Sequence, residues 1–209
     1  MTRILVFGDS IVWGAWDREG GWAQRLRKFI DEKNLSDSEF YCLVYNLGVS
    51  SDTTEGLLER FEFETKQRLK EGEETIFIFA IGTNDSQFLF SKNGTKVPVE
   101  KVRENIQKLI ELAKRFSSKI IFVGLFPVDE SRVVPLPWDS NKAYKNEFIR
   151  QYNQVIKEVC NENNIPFIDT FEKFSSLDYP SLLEDGLHPN SKGHELIFKM
   201  VKKEIEKFL

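Results

Sequence analysis

Short, nearly continuous apolar runs alternate along this chain with longer segments in which apolar residues recur every three or four positions. The runs are Arg3 to Phe7, Tyr41 to Asn46, Thr75 to Ile81, Lys119 to Gly124 and Pro166 to Asp169. A strand is apolar on both sides when helices cover both faces of its sheet, so these five runs predict parallel strands. Helical spacing appears in Trp22, Ala23, Leu26, Phe29 and Ile30, in Leu57, Leu58 and Phe61, and in Val102, Ile106, Leu109, Ile110 and Ala113. It returns in Tyr152, Val155, Ile156 and Val159, and in Leu196, Ile197, Met200, Val201 and Ile205. Ser51, Asp52 and Thr53 offer caps to the second helix, and Pro98 can start the third. Strands alternating with helices predict an α/β fold of βαβ units.

Two stretches fit no regular element. One is Phe126 to Tyr144, which contains Pro127, Pro135, Pro137 and Trp138, and the other is the polar excursion from Phe88 to Lys96. Each leaves the C-terminal end of a predicted strand, where open parallel sheets bind ligands.

The chain has 209 residues, enough for one domain over 1–209 that buries roughly 70% of its unfolded surface. With 41% apolar and 30% charged residues, the balance is that of a globular protein. The eighteen Phe are many for this length and are expected mostly in the core. No internal repeat or low-complexity segment interrupts the pattern.

The net charge of −4 comes from interleaved signs, so no basic stripe exists to hold a phosphate backbone and nucleic acid is not expected as a partner. Cys42 and Cys160 fall in a predicted strand and helix, and free thiols are expected. Ile4 to Phe7 is too short for a signal-peptide apolar region, and Ile76 to Ile81 is too short to span a membrane. These features point to the cytoplasm. Nothing in the pattern specifies an oligomeric state.

Four polar blocks follow the apolar runs: Gly8-Asp9-Ser10, Asn46-Leu47-Gly48, Gly82-Thr83-Asn84-Asp85 and Asp185-Gly186-Leu187-His188-Pro189. On a sheet ordered 2-1-3-4-5 all four reach one edge, and winding reverses between strands one and three, opening a crevice between Ser10 and Asn84. A serine hydroxyl needs a base to accept its proton, and neutral imidazole suits this near pH 7. His188 is the candidate base, and Asp185 is placed to orient it. The backbone N–H groups of Ser10 and Gly48 and the Asn84 amide are candidate oxyanion donors. Gly48 lacks a Cβ and so permits close backbone approach.

At these residues the chain resembles the SGNH hydrolases, also called the GDSL esterase/lipase family. The four blocks occur in the family's order and span residues 4 to about 194. The resemblance implies a three-layer α/β/α sandwich of flavodoxin-like type, Ser10, His188 and Asp185 as catalytic triad, and Gly48 and Asn84 in the oxyanion hole. The Gly-x-Ser-x-Gly elbow of the ordinary lipase fold is absent. So are Gly-rich nucleotide cradles, and no cofactor is expected.

Other readings of these residues are structural. Gly8-Asp9-Ser10 taken alone suits a βα turn with a helix cap. His194, the second histidine, reads as packing near the start of the last helix. Asp9, Asp52, Asp85 and Asp185 could ring a metal, but Asp9 and Asp85 stand beside turn residues and read more simply as backbone hydrogen-bonders, so no metal is expected. Trp22 belongs to a helical apolar face. Trp13 and Trp16, just after Ser10, and Trp138, in the Pro-rich loop, are candidates for the substrate pocket.

The expected function is hydrolysis of a small-molecule carboxylic ester through an acyl-enzyme. A thioesterase or lysophospholipase, a carbohydrate O-deacetylase and an acyltransferase would use the same residues. A catalytically silent carbohydrate- or acyl-binding module is a different class, and would have no need of His188 and Asp185 together.

Overall fold

The computed structural model describes residues 1–209. Its strands, in chain order, are β1 (Thr2–Gly8), β2 (Cys42–Gly48), β3 (Glu74–Ala80), β4 (Phe88–Leu89), β5 (Gly94–Thr95), β6 (Ile120–Val123), β7 (Lys142–Ala143) and β8 (Phe167–Ile168). The helices are α1 (Ser10–Trp13), α2 (Gly21–Ser36), α3 (Thr54–Lys66), α4 (Val99–Lys114), α5 (Glu130–Val133), α6 (Asn146–Glu162), α7 (Thr170–Ser175) and α8 (Ser191–Ile205).

Five strands form one parallel sheet in the order β2-β1-β3-β6-β8. This is the 2-1-3-4-5 order expected from the sequence. In the central strand Leu5 and Phe7 face one apolar layer with Phe61, Val102, Ile106 and Tyr152. Ile4 and Val6 face the other, with Trp22, Leu26, Ile30, Ile197 and Val201. Alternate side chains of a strand point to opposite faces, so a continuously apolar strand feeds two cores at once. Helices α3, α4 and α6 cover the first face, while α2 and α8 cover the second.

Nine of the eighteen Phe are buried. Phe7, Phe61, Phe77, Phe79 and Phe122 form a ladder with neighbouring ring centroids 5.0–6.4 Å apart. Each such ring stabilises the fold by about 1.5–3 kcal/mol through burial. Thr53 caps α3 by accepting the Gly56 N–H, and Pro98 precedes α4.

The two irregular stretches meet each other. β4 pairs antiparallel with β5 and β7, giving a second, three-stranded sheet that joins the 88–96 excursion to the Pro-rich segment. Strands of two residues carry no readable period, and β4 and β7 are far apart in sequence, so local pattern could not announce this pairing. The helix α1 was likewise unmarked, being only four residues long. No helix is long and apolar enough to cross a membrane.

Candidate active site

Strand β1 delivers Gly8 to the sheet edge, and the chain turns at once into α1. Asp9 caps that helix, its Oδ1 accepting the Ile11 N–H at 2.9 Å. Ser10 thereby takes the first helical position, where the backbone N–H has no partner within the helix. Its Oγ lies 3.0 Å from Nε2 of His188. The opposite ring nitrogen, Nδ1, lies 2.7 Å from Asp185 Oδ2. A carboxylate at Nδ1 assigns the ring proton to that nitrogen and leaves Nε2 to accept from Ser10.

Asp185 is held on both oxygens. Oδ1 accepts the N–H groups of Leu187 and His188 at 2.9 and 2.8 Å, and Oδ2 also accepts the indole N–H of Trp16 at 3.0 Å. Burial acts to raise this carboxyl, but the hydrogen bond and charge of His188 and the two backbone donors outweigh it, holding Asp185 far below the usual carboxylate range. The carboxylate therefore stays ionised beside the imidazole at neutral pH.

Asn84 follows β3. Its Oδ1 accepts the Tyr144 hydroxyl at 2.7 Å, which fixes which way the amide points. Its Nδ2 donates to Asp52 O at 3.0 Å and lies 3.5 Å from Asp9 Oδ2. The loop carrying Asp52 is braced by Arg60, which bonds both the Asp52 carboxylate and the Gly8 carbonyl.

The Gly48 N–H, expected to face an oxyanion, is instead donated to the Asn46 side chain at 3.0 Å. Gly48 serves close packing. A Cβ there would stand 2.3 Å from Trp13 N and 2.8 Å from Asp9 O, so only glycine lets β2 pass against the start of α1. Ser51 borders the cleft in the same loop, and its N–H has no acceptor within the chain. Its φ of 65° is left-handed. The Asp52 N–H that follows is bonded to the Val49 carbonyl at 3.1 Å, so Ser51 carries the free donor of this turn.

The cleft has a volume of about 280 Å³. Trp16, Leu136, Trp138 and Leu187 form its apolar sides, while Gln87, Lys96 and Lys142 add polar groups. Trp138 thus lies where the sequence places it. Trp13 does not: it is exposed outside the cleft, and Trp16, three residues on, takes the position beside His188 with ring centroids 5.9 Å apart. The single turn of α1 carries Trp13 away from the cleft, and the left-handed Gly14 that ends it brings Trp16 back.

Each carboxylate weighed as a metal ligand has a separate partner. Asp9 caps α1, Asp52 pairs with Arg60, Asp85 accepts the Thr54 N–H and hydroxyl, and Asp185 holds His188. Burial pushes Asp9 up to about 7 and Asp85 up to about 6. His194 is buried away from Ser10. Its Nδ1 accepts the Trp22 N–H at 3.3 Å, its Nε2 lies 3.4 Å from Ala15 O, and burial lowers it to about 4. Trp22 is fully buried in the α2 face.

Tyr144, Trp16, Ser51 and Lys96 carry parts of this site that no motif marks. Trp16 was a candidate from its closeness to Ser10. Tyr144 and Lys96 depend on the small sheet, and Ser51 on a backbone angle.

Residues 6–196 match the model of the GDSL-like Lipase/Acylhydrolase family. The chain is 23% identical over 219 residues to the isoamyl acetate-hydrolyzing esterase of Saccharomyces cerevisiae, covering 99% of this chain and 87% of the yeast protein. It is 25% identical to the human isoamyl acetate-hydrolyzing esterase 1 homolog, covering 98% and 82%. Among solved structures, the lipase/acylhydrolase from Enterococcus faecalis superposes with a TM-score of 0.79 at 25% identity, covering 100% of this chain and 97% of that one. The Ser10–His188 contact joins the two ends of the matched segment across the edge of the sheet. The chain is a member of the GDSL-like lipase/acylhydrolase family, an ester hydrolase of the GDSL/SGNH type.

Proposed function

We propose that this protein hydrolyses short carboxylic esters through an acyl-enzyme on Ser10. The observation that carries the reading is the unbroken relay from Ser10 Oγ to His188 Nε2, at 3.0 Å, and from His188 Nδ1 to Asp185 Oδ2, at 2.7 Å. Ser10 Oγ attacks the ester carbonyl carbon while its proton passes to His188 Nε2. Negative charge moves to the carbonyl oxygen, which the N–H groups of Ser10 and Ser51 and the Asn84 amide receive. One such donor is worth about 3 kcal/mol in the transition state. The bond to the alcohol oxygen then breaks, and that oxygen takes the proton from Nε2.

The acyl group is released by the reverse use of the same residues. Water attacks the acyl carbon, gives its proton to His188 Nε2, and Ser10 Oγ leaves and recovers that proton. Asp185 stays ionised throughout and stabilises the imidazolium formed in each half-reaction.

A cleft of about 280 Å³ stands at the small end of ligand sites. It suits a short acyl group better than a long one. The names of the yeast and human relatives, which refer to an acetate ester, agree with this size. Cys42 and Cys160 are buried free thiols, which fits a cytoplasmic setting.

The test is hydrolysis of p-nitrophenyl esters from acetate to laurate by the wild type and Ser10→Ala. Turnover that falls with chain length and vanishes in Ser10→Ala supports the reading. Equal turnover by the two proteins would remove Ser10 as nucleophile, and a preference for laurate would remove the short-chain assignment. Acyl transfer to added alcohol outpacing hydrolysis would make the protein an acyltransferase.

A further inference from the structure

The chain carries 33 acidic and 29 basic side chains. Its cleft nevertheless has two lysines, Lys96 and Lys142, on its walls and no aspartate or glutamate. Their placement follows from the small sheet. Phe88 pairs with Thr95 on one side and Ala143 on the other, so the adjoining residues Gln87, Lys96 and Tyr144 form the next row across it. The Lys96 N–H donates to the Gln87 carbonyl at 2.8 Å, which continues the ladder by one step.

Alternate residues of a strand face opposite ways, so Gln87, Lys96 and Tyr144 share a face, and Lys142 joins it two residues along. Phe88 and Ala143 point to the other side. There Phe88 stacks on Phe148 of α6, with centroids 5.5 Å apart, and lies under the Lys145 ammonium at 4.3 Å. The sheet is thus anchored through its apolar face and turns a basic face toward Ser10.

Tyr144 ties that face to the chemistry, because its hydroxyl holds the Asn84 amide. Lys96 stands two strands away from Tyr144 in the same row, about 10 Å between backbones at the usual strand spacing. A side chain of that length at that offset on the cleft wall can meet the part of a bound ester several bonds from the carbonyl. Lys142 is paired with Asp139 at 2.8 Å, while Lys96 has no ion pair. Apart from Asp139, the acidic groups Asp85 and Asp9 are buried and engaged. Asp85, on which the Lys96 charge acts, is bonded to Thr54, and Asp9 caps α1.

We propose that the ester this cleft is shaped for carries a carboxylate several bonds from the scissile carbonyl, held by Lys96 with support from Lys142 and Gln87. The proposal rests on the esterase reading of the cleft and narrows its substrate to anionic esters.

The test compares matched pairs of esters. One pair is the p-nitrophenyl monoester of glutaric acid against p-nitrophenyl pentanoate, with the charge on the acyl side. The other is the acetate ester of 4-hydroxybutanoate against butyl acetate, with the charge on the alcohol side. The wild type should favour the anionic member of at least one pair in kcat/KM, chiefly through KM. Lys96→Gln should cut that preference by about tenfold, the size of one charge-assisted hydrogen bond. Added salt should erode it in the wild type, since the pair is partly open to solvent.

A second measurement keeps this separate from catalysis. Ser10→Ala is titrated with monomethyl glutarate and with methyl pentanoate, following the fluorescence of the cleft tryptophans. Selective binding of the anion that is lost on adding Lys96→Gln supports the proposal even if no ester turns over, a result that would instead count against the esterase reading. Turnover with no anionic preference in either pair, or equal binding of the two methyl esters, overturns the proposal and leaves the esterase reading standing.

Discussion

The indole N–H of Trp16 donates to the same Asp185 oxygen that faces the His188 ring, at 3.0 Å, while the His188 nitrogen stands at 2.7 Å. Trp16 itself is 62% exposed, so the carboxylate paired with His188 is steadied by a residue on the open wall of the cleft. Trp16→Phe keeps the edge contact with the imidazole and removes only the donor. The expected loss in kcat is about threefold to tenfold, the range for one hydrogen bond to a charged group in a partly open site. Steady-state turnover of p-nitrophenyl acetate by the two proteins checks this, and an unchanged kcat would make Trp16 a packing residue.

Tyr144→Phe tests how the Asn84 amide is aimed. The variant leaves Asn84 Oδ1 without the donor that sets the direction of Nδ2. Loss of a buried hydrogen bond costs about 1–3 kcal/mol, and the expected drop in kcat is about tenfold with KM little changed. Asn84→Ala should cost about 10²–10³ in kcat, as for removal of one oxyanion donor. Steady-state kinetics of the two single variants and the double variant give the coupling, and additive losses would separate Tyr144 from Asn84.

Gly48 is expected to act through space and not through its N–H. In Gly48→Ala the new methyl meets backbone atoms of Trp13 and Asp9, so the turn holding Ser10 must shift. Overpacking of this kind costs about 1–3 kcal/mol, and most activity should go with it. Ser51→Gly keeps the free N–H and relieves the left-handed backbone of a side chain, so it should retain activity. Thermal melts and p-nitrophenyl acetate turnover of both variants check this, and a well-folded, active Gly48→Ala would refute the packing role.

Burial depresses His194 to about 4 from its ordinary 6.5. A depressed base binds fewer protons folded than unfolded, so its contribution is complete above pH 6.5 and is lost as the pH falls toward 4. His194→Gln, which can still accept from Trp22 and donate to Ala15, should flatten the loss of stability in that window. It should leave ester hydrolysis largely intact, whereas His188→Gln should abolish it. Melting temperatures from pH 4 to 8, with activity at pH 7.5, distinguish the two histidines.

Asp9 runs the other way. Its folded value of about 7 lies above the ordinary 3.8 because burial penalises the charge. The folded state therefore holds the proton more tightly, and the ionised carboxylate costs stability that grows from pH 4 to pH 7, on the order of 2–4 kcal/mol at most. Asp9→Asn keeps an oxygen to cap Ile11 without the charge. Its melting temperature should exceed that of the wild type at pH 8, and the two should converge near pH 4. A constant difference across that range would show that Asp9 ionises freely.

The alternation of apolar runs with helical periods determined the five-stranded parallel sheet and its two covering layers, because burial on both faces is written into each strand's own residues. Ser10, Asn84, Asp185 and His188 were legible for a related reason. Each lies in a short polar block at a strand end or in a loop, and the sheet order carries those ends to one edge. Other features were settled only in three dimensions. The pairing of β4, β5 and β7 joins segments far apart in sequence and is too short to show a period, so Tyr144 and Lys96 at the cleft depend on contacts no local pattern records. The Gly48 N–H turned to Asn46 and Ser51 took the left-handed turn because hydrogen-bond partners and backbone angles are chosen by the packed chain. Of the two tryptophans that follow Ser10, both candidates from the sequence, Trp16 stands at the cleft and Trp13 does not, because the one-turn helix after Ser10 ends at Gly14, and the direction of a chain leaving such a turn is a property of its tertiary contacts.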